Sequence, residues 1–277
     1  MNLNDIKYEV EDRVATITLS RPTRRNAFTN AMNNEYRWCL AQADSDSSVS
    51  VIVITGDGEG RAFSAGADLS GVETIAATGQ YKIDIDETLA RPGYGVDDAF
   101  DANFAFHFGI SKPIIAAING PAAGIGLVLA AFCDLRFAVP GAKFTSSHGR
   151  FNFPAEYGLS WILPRIIGTT HANDVLLSSR VFTSDEAYRM GFLNAVLDSD
   201  ALMRHVYTYA RTMASSVSPG SLRESKRQLY LDWHRSASES VEDSLRLLKE
   251  MSAHPNCEEG VSAWMKKREP LWVEDKK

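Results

Sequence analysis

The stretch from Lys112 to Ala138 reads KPIIAAINGPAAGIGLVLAAFCDLRFA. Its run from Ile114 to Ile118 is short, apolar and preceded by a proline, which is typical of a buried strand. The segment from Gly120 to Cys133 begins with glycines and continues with apolar residues, so it predicts a tight turn followed by a helix. The stretch therefore predicts one strand–turn–helix unit of an α/β fold.

The flanking sequence repeats this alternation of strands and helices. Val14–Leu19 is short, β-branched and alternating, and Val49–Thr55 is almost continuously apolar, so both are predicted strands. Between them, Asn30 is expected to cap a helix whose apolar residues recur at helical spacing. Further short strands are predicted at Leu135–Val139 and Ala142–Ser146. Because strands and helices interleave, the fold class is expected to be α/β.

The C-terminal part is predicted to be mostly helical. Thr183 and Glu186 have the spacing of a capping box, which indicates a helix start. We expect residues 1–200 to form the core and residues 201–277 a helical C-terminal region. An irregular insertion with weak periodicity is predicted from Thr74 to Asp101. A brief strand is predicted at Asn194–Leu197, and the helices at Ala201–Ser215, Pro219–Trp233 and Ser238–His254.

Composition excludes several classes of protein. The 277 residues carry 29 basic and 35 acidic side chains, and a formal charge of −6 provides no global positive field for nucleic acid. Three widely spaced cysteines form neither a disulfide framework nor a metal-ligand pattern, so no metal is expected. The sequence has no apolar run of the roughly 18 residues that a membrane span needs. We therefore expect a soluble cytoplasmic protein with no nucleic-acid or membrane partner.

Two glycine-containing turns are candidates for anion binding. RAFSAGADL (61–69) and NGPAAGIGLVL (119–129) each leave backbone amides uncovered at the start of a predicted helix. If the amides point at one spot, they form an oxyanion hole that stabilises the enolate of a thioester. Alternatively, the glycines serve only close packing. A dinucleotide fold is not favoured, because Leu129 stands where the GxGxxG pattern requires glycine.

Four motifs together resemble the crotonase superfamily, the enoyl-CoA hydratases and isomerases. They are RPTRRNAF (21–28), RAFSAGADL, the 112–138 stretch and EGVSAWMKKREP (259–270). The resemblance implies a crotonase-like spiral of ββα units with a helical C-terminal trimerisation region. It also implies a homotrimer or dimer of trimers, an acyl-CoA thioester as substrate, and no resident cofactor, since CoA enters as part of the substrate.

The resemblance also assigns binding roles. It implies that the backbone amides of Ala67 and Ile125 form the oxyanion hole; Ile125 replaces the usual glycine, but a backbone N–H serves equally well. The adenine and 3′-phosphate end of CoA is expected along Arg24, Arg25, Ala65, Asp68 and Lys267. Alternatively, the arginines are solvated surface charges, and Asp68 caps the following helix.

The reaction depends on the acidic residues. Hydratases of this family use two glutamates, whose positions correspond here to Val128 and His148. The nearby carboxylate is Glu156, and we hypothesise that it moves a double bond alone, since this isomerisation needs only one base. Alternatively, Glu156 is a surface residue, and His148 is a satisfied polar histidine or a catalytic partner. Tyr157 and the nearby Trp161 are candidates for the acyl pocket or the core.

Three other functions remain open. The first is an enoyl-CoA hydratase that uses Glu156, with or without His148, to add water. The second is an acyl-CoA hydrolase with Ser64, His148 and Glu156 as a triad, although the segment lacks the first glycine of the GxSxG motif. The third is a non-catalytic acyl-CoA binder, which the absence of both hydratase glutamates suggests.

Overall fold

A computed structural model describes residues 1–81, 100 and 102–273. Six strands form the main sheet in the order β1-β2-β3-β4-β6-β9, and three short strands form a second sheet in the order β5-β7-β8. The strands are β1 (Ile6–Glu11), β2 (Val14–Leu19), β3 (Val51–Gly56), β4 (Ile114–Ile118), β5 (Ala122–Ala123), β6 (Leu135–Ala138), β7 (Lys143–Thr145), β8 (Phe182–Thr183) and β9 (Ala195–Val196).

The main sheet is parallel except at its first strand. β1 and β2 pair as an antiparallel hairpin, and each later neighbour is parallel to the strand before it. Every residue of β3 and β4 is buried, as expected for central strands covered on both faces. Parallel neighbours require crossover connections, and the helices supply them.

The described helices are α1 (Asn30–Ser45), α2 (Leu69–Thr78), α3 (Ile125–Ala131), α4 (Leu159–Ser178), α5 (Ser184–Arg189), α6 (Leu202–Ser216), α7 (Pro219–Leu231), α8 (Ala237–Ser252) and α9 (Pro255–Lys266). In α4, Gly168 has non-helical dihedral angles and interrupts the helix. Among the described residues, no helix combines the length and apolar character needed to cross a membrane.

The C-terminal helices are attached to the core by polar contacts. On α6, the Tyr207 hydroxyl lies 3.0 Å from Thr16 Oγ1 on β2. On α7, the buried Lys226 Nζ lies 2.8 Å from Asp134 Oδ2, at the start of β6. The Trp272 indole donates to the Ser215 carbonyl at 2.8 Å. The predicted division at residue 200 stays a prediction.

The sequence predicted most elements but misplaced some boundaries. The predicted strands at Val14–Leu19 and Ile114–Ile118 and the Thr183–Glu186 capping box are confirmed. The predicted cap at Asn30 is wrong by one residue: the Thr29 side chain accepts from the Met32 N–H, and Asn30 is already helical. The predicted insertion is wrong at its start, because α2 continues to Thr78. Its residues 82–99 and 101 lie outside the described residues.

Candidate active site

The turn from Ala65 to Asp68 packs against the segment from Arg25 to Phe28. The Phe28 N–H donates to the Gly66 carbonyl at 2.7 Å, and the Asp68 N–H donates to the Phe28 carbonyl at 2.9 Å. Gly66 has a φ of +97°, a region that favours glycine. A Cβ at this position would lie 2.7 Å from the Ala123 carbonyl oxygen. The turn therefore depends on glycine both for its dihedral angles and for its close approach to the neighbouring segment.

That neighbouring segment leads into α3. The Ala123 N–H donates to the Ser64 carbonyl at 3.0 Å, which joins the two glycine turns directly. Gly124 has a φ of +48° and redirects the chain into the helix, which begins at Ile125. A Cβ on Gly126 would lie 2.5 Å from the Ser64 carbonyl oxygen, so α3 also approaches the first turn closely. The two predicted turns are thus in contact in the folded chain.

The amides predicted to form the oxyanion hole lie at the end of this contact. Ala67 and Ile125 line the same cavity. Across residues 1–81, 100 and 102–273, neither N–H donates to a backbone carbonyl. Ile125 is the first residue of α3, where the N–H has no acceptor inside the helix and the helix dipole favours a negative charge. The arrangement provides two amide donors next to one cavity.

The cavity has a volume of about 440 Å³ and is walled by α1, α2, the two turns and the loop before α4. This volume falls within the range of small-molecule sites in proteins. Its described lining is Phe28, Thr29, Asn30, Asn33, Ala67, Asp68, Ser70, Gly71, Val72, Thr74, Ile75, Thr78, Gln80, Tyr81, Asn103, Phe104, Ile125, Phe153, Glu156 and Tyr157.

The two carboxylates in this described lining have opposite environments. Asp68 caps α2 through the Ser70 N–H at 3.1 Å, and the Arg21 guanidinium lies 2.9 Å from its other oxygen. Hydrogen bonds from Ser70 and Arg21 lower the pKa of Asp68 to about 2. Glu156 has neither hydrogen bond nor ion pair to any side chain of the described part of the chain, and burial raises its pKa. Because the pKa of Asp68 is lowered and that of Glu156 is raised, Glu156 is the candidate proton carrier.

Aromatic side chains line the same cavity as Glu156. The next residue, Tyr157, has a φ of +48° and contacts Phe104 edge-on at 5.3 Å between ring centroids. The Tyr157 hydroxyl is hydrogen-bonded to the Tyr81 hydroxyl. Tyr157 therefore lines the cavity, whereas Trp161 is absent from the described lining and packs edge-on against Trp233 at 5.1 Å. The two aromatic candidates thus have different surroundings.

The other predicted site residues differ in their exposure and contacts, and none of them is in the described lining of this cavity. Ala65 is exposed at the start of the turn and its N–H donates to the Arg25 carbonyl at 3.0 Å, while the Arg24 and Arg25 side chains are exposed. Lys267 is exposed at the end of α9, and no contact in the described structure joins it to the cavity. His148 is buried and outside the described lining, and burial lowers its pKa. The roles of these residues stay predictions.

Several lining residues were not singled out from the sequence. Tyr81, Asn103 and Phe104 line the same cavity as Glu156 from other segments, and Arg21, which is outside the described lining, pairs with Asp68. Arg21 belongs to the RPTRRNAF motif, so its basic charge beside the acidic turn was an available signal. Tyr81 and Phe104 had no comparable signal, because nothing in the local pattern indicates contact with a residue more than fifty positions away.

Comparisons with known proteins show similarity to enoyl-CoA hydratases and isomerases. A sequence model described as enoyl-CoA hydratase/isomerase matches residues 9–276. A probable enoyl-CoA hydratase of Mycobacterium tuberculosis H37Rv is 33% identical over 272 residues, covering 95% of this chain and 90% of that protein. The 1,2-epoxyphenylacetyl-CoA isomerase of Escherichia coli K12 is 28% identical over 279 residues, covering 95% of this chain and 96% of that protein.

Solved structures give the same result for the fold. The crystal structure of a probable enoyl-CoA hydratase/isomerase from Mycobacterium abscessus superposes with a TM-score of 0.86. It is 28% identical and covers 99% of this chain and 100% of its own. The expected crotonase-like α/β fold is confirmed by this match.

Proposed function

The chain belongs to the enoyl-CoA hydratase/isomerase family, and on that premise we propose that it moves a carbon–carbon double bond in an acyl-CoA thioester with Glu156 as the single proton carrier. The observation that carries the proposal is the contrast between the two carboxylates in the described cavity lining. Asp68 pairs with Arg21 and caps α2, whereas Glu156 has no hydrogen bond or ion pair to a side chain among the described residues and has a raised pKa.

The proposed reaction converts a 3-enoyl-CoA into a 2-enoyl-CoA. The Glu156 carboxylate removes a proton from C2, and the electrons of that C–H bond form a C1=C2 double bond as the thioester carbonyl electrons move onto its oxygen, which gives a dienolate. The Ala67 and Ile125 amides donate hydrogen bonds to this oxygen and stabilise the dienolate. Glu156 then returns the proton to C4, which leaves the double bond between C2 and C3. The mass of the substrate does not change, and no water is consumed.

A raised pKa suits both halves of this cycle. A carboxylate with a very low pKa is a weak base, so it removes the substrate proton slowly. Its protonated form is a strong acid and returns the proton readily. Burial moves the pKa of Glu156 upward, toward the operating range, and strengthens it as a base. The rings of Phe104 and Tyr157 line the same cavity as Glu156.

CoA binding is proposed at the rim of the cavity. Arg24 and Arg25 are exposed cations beside Ala65, and Lys267 is a further cation for the 3′-phosphate. The ion pair between Asp68 and Arg21 supports the turn that forms part of this rim. The reaction needs no resident cofactor, because CoA arrives with the substrate. We also propose assembly as a homotrimer or a dimer of trimers.

The alternatives require groups that are differently placed. A hydratase that uses Glu156 with His148 needs both groups at the cavity, but His148 is outside the described lining, and Val128, at the other hydratase position, is fully buried and carries no acid. A serine hydrolase needs an accessible nucleophile, but Ser64 is fully buried and its Oγ accepts from the Gly66 N–H at 3.3 Å. These placements favour a single-acid isomerisation.

The test compares Glu156→Gln with wild-type protein and with Glu73→Gln, which neutralises an exposed glutamate on α2 outside the described lining. Each protein is incubated with 3-enoyl-CoA and with 2-enoyl-CoA, and product masses are measured by liquid chromatography and mass spectrometry. We expect interconversion at unchanged mass, with kcat reduced about 10²- to 10⁴-fold in Glu156→Gln and unchanged in Glu73→Gln.

Four results contradict this proposal in different ways. Gain of one water from 2-enoyl-CoA by the wild type identifies a hydratase, and release of free CoA identifies a hydrolase. CoA-ester binding without turnover identifies a binder. Full isomerase activity in Glu156→Gln removes this residue from the mechanism.

A further inference from the structure

Two tyrosine hydroxyls are paired inside the cavity that contains Glu156. The Tyr81 hydroxyl is hydrogen-bonded to the Tyr157 hydroxyl, although the two residues are 76 positions apart. Tyr81 lies shortly after α2, and Tyr157 immediately follows Glu156 in the loop before α4. Both side chains line the cavity together with the Ala67 and Ile125 amides. The pair therefore lies in the compartment where the acyl group is expected.

The hydrogen bond between the two tyrosines uses only one of their two hydroxyl hydrogens. Each phenol carries one O–H, and the bond between them uses one of the two hydrogens. Among the described residues, neither phenol makes a second hydrogen bond. Burial raises the pKa of both phenols, so both are protonated at neutral pH. The second O–H is then free to donate to an acceptor in the cavity.

The surrounding rings fix the position of this donor. Tyr157 contacts Phe104 edge-on, and Tyr81 contacts Phe153 edge-on at 6.4 Å between ring centroids. Tyr157 and Phe104 have positive φ values of 48° and 65°, which are uncommon for bulky residues. Backbone conformations of this kind are retained where the surrounding structure determines them and are found preferentially at functional sites. Aromatic rings therefore contact both phenols, and Tyr81, which is 49% exposed, lies toward the open side of the cavity wall.

We propose that the Tyr81–Tyr157 hydroxyl pair determines specificity by donating a hydrogen bond to an oxygen atom on the acyl chain of the substrate. The inference rests on the proposed function, because it places the acyl chain between the oxyanion amides and Glu156. The substrate class is an acyl-CoA with a ketone or hydroxyl oxygen beyond its thioester. A hydrocarbon chain would cover the donor without pairing it, and a site built around a hydrogen bond discriminates against a ligand that lacks the partner.

The test measures binding and does not depend on turnover. Hexanoyl-CoA, 4-oxohexanoyl-CoA and 5-oxohexanoyl-CoA contain no carbon–carbon double bond to isomerise, and they differ by one carbonyl oxygen. Their dissociation constants are measured by isothermal titration calorimetry. We expect the better oxo compound to bind about 5- to 10-fold more tightly than hexanoyl-CoA to the wild type. This preference should fall to about 1 in the Tyr81→Phe/Tyr157→Phe double variant.

The single variants and a control complete the experiment. Between Tyr81→Phe and Tyr157→Phe, the variant that loses more of the oxo preference identifies the donating phenol. Tyr188→Phe removes a hydroxyl from an exposed tyrosine on α5, outside the described lining, and should keep the full preference. Thermal unfolding monitored by circular dichroism establishes that each variant is folded. If the double variant does not fold, the wild type and the single variants still decide the question.

The inference is overturned if the wild type binds both oxo compounds no more tightly than hexanoyl-CoA, or if the preference persists in the double variant. Its failure is distinguishable from failure of the proposed function. An oxo preference that disappears in the double variant supports the role of the tyrosines even if no isomerisation is detected. Isomerisation without any oxo preference leaves the role of Glu156 intact and removes that of the tyrosines.

Discussion

Replacement of Gly66 by alanine tests whether the contact between the two glycine turns controls the reaction. Gly66 has a φ of +97°, and alanine adopts such a conformation at a cost of about 1–2 kcal/mol. The added Cβ would lie 2.7 Å from the Ala123 carbonyl oxygen, whereas ordinary contact begins at 3.4 Å. The difference, 0.7 Å, is the distance by which the turns must separate or the Gly66 peptide must shift.

This displacement is expected to lower both the stability of the protein and its kcat/KM. Overpacking against the backbone adds about 1–3 kcal/mol to the conformational cost, so we expect the free energy of unfolding to fall by about 2–5 kcal/mol. A domain of ordinary stability remains folded after such a loss. The Ala67 N–H moves relative to Ile125 by a sizeable part of 1 Å, and such a misplacement of an oxyanion donor reduces kcat/KM roughly 10²-fold.

The assay combines isomerisation of 3-enoyl-CoA with urea unfolding followed by circular dichroism. Gly79→Ala is the matched control, because Gly79 has a φ of +66° but no atom lies within 4 Å of its added Cβ. We expect the control to lose about 1 kcal/mol of stability and no more than a factor of two in kcat/KM. If folded Gly66→Ala has the same kcat/KM as Gly79→Ala, the turn contact does not place the oxyanion donors.

Two other predictions concern Glu156 and the attachment of α7. Because the base must be deprotonated and burial raises the pKa of Glu156, kcat/KM should fall on acidification with a midpoint above the ordinary 4.5; a pH–rate profile with a lower midpoint contradicts this. Lys226→Met leaves Asp134 without its buried cation and should reduce the unfolding free energy by about 3 kcal/mol in urea. Lys7→Met breaks an exposed ion pair with Asp57 and should cost much less, and equal losses in both variants would refute the reasoning.

The parts of the fold that sequence predicted correctly are those whose signal is local. β2 and β4 are short runs of β-branched or apolar residues, and the Thr183–Glu186 cap is complete within four positions. Thr29 and Asn30 are both good caps, so only the folded geometry decides between them. The helix from Leu159 was not predicted, because Pro164 and Gly168 interrupt its periodicity.

The candidate site also has a part that sequence could predict and a part that it could not. The turns at Ala67 and Ile125 could be predicted because each is a glycine motif beside a helix start, and the resemblance supplied their common purpose. The environment of Glu156 could not be predicted, since it depends on Tyr81 and Phe104, which approach from other segments. The pKa of a carboxyl group is set by such neighbours, so the distinction between Glu156 and Asp68 required the structure.

In the proposed mechanism, the backbone amides and the acidic side chain have separate roles. The thioester oxygen is stabilised by backbone N–H groups, whose positions depend on Gly66 and Gly124 and not on the side chains at Ala67 and Ile125. The fate of the enolate depends instead on which side chain can deliver a proton or hold a water. In this chain, Val128 on α3 carries no acid, and the unpaired acid of the described lining lies on the loop before α4. Isomerisation needs one proton carrier that moves between two carbons, whereas hydration also needs a group that holds the water, so we propose that this placement favours isomerisation.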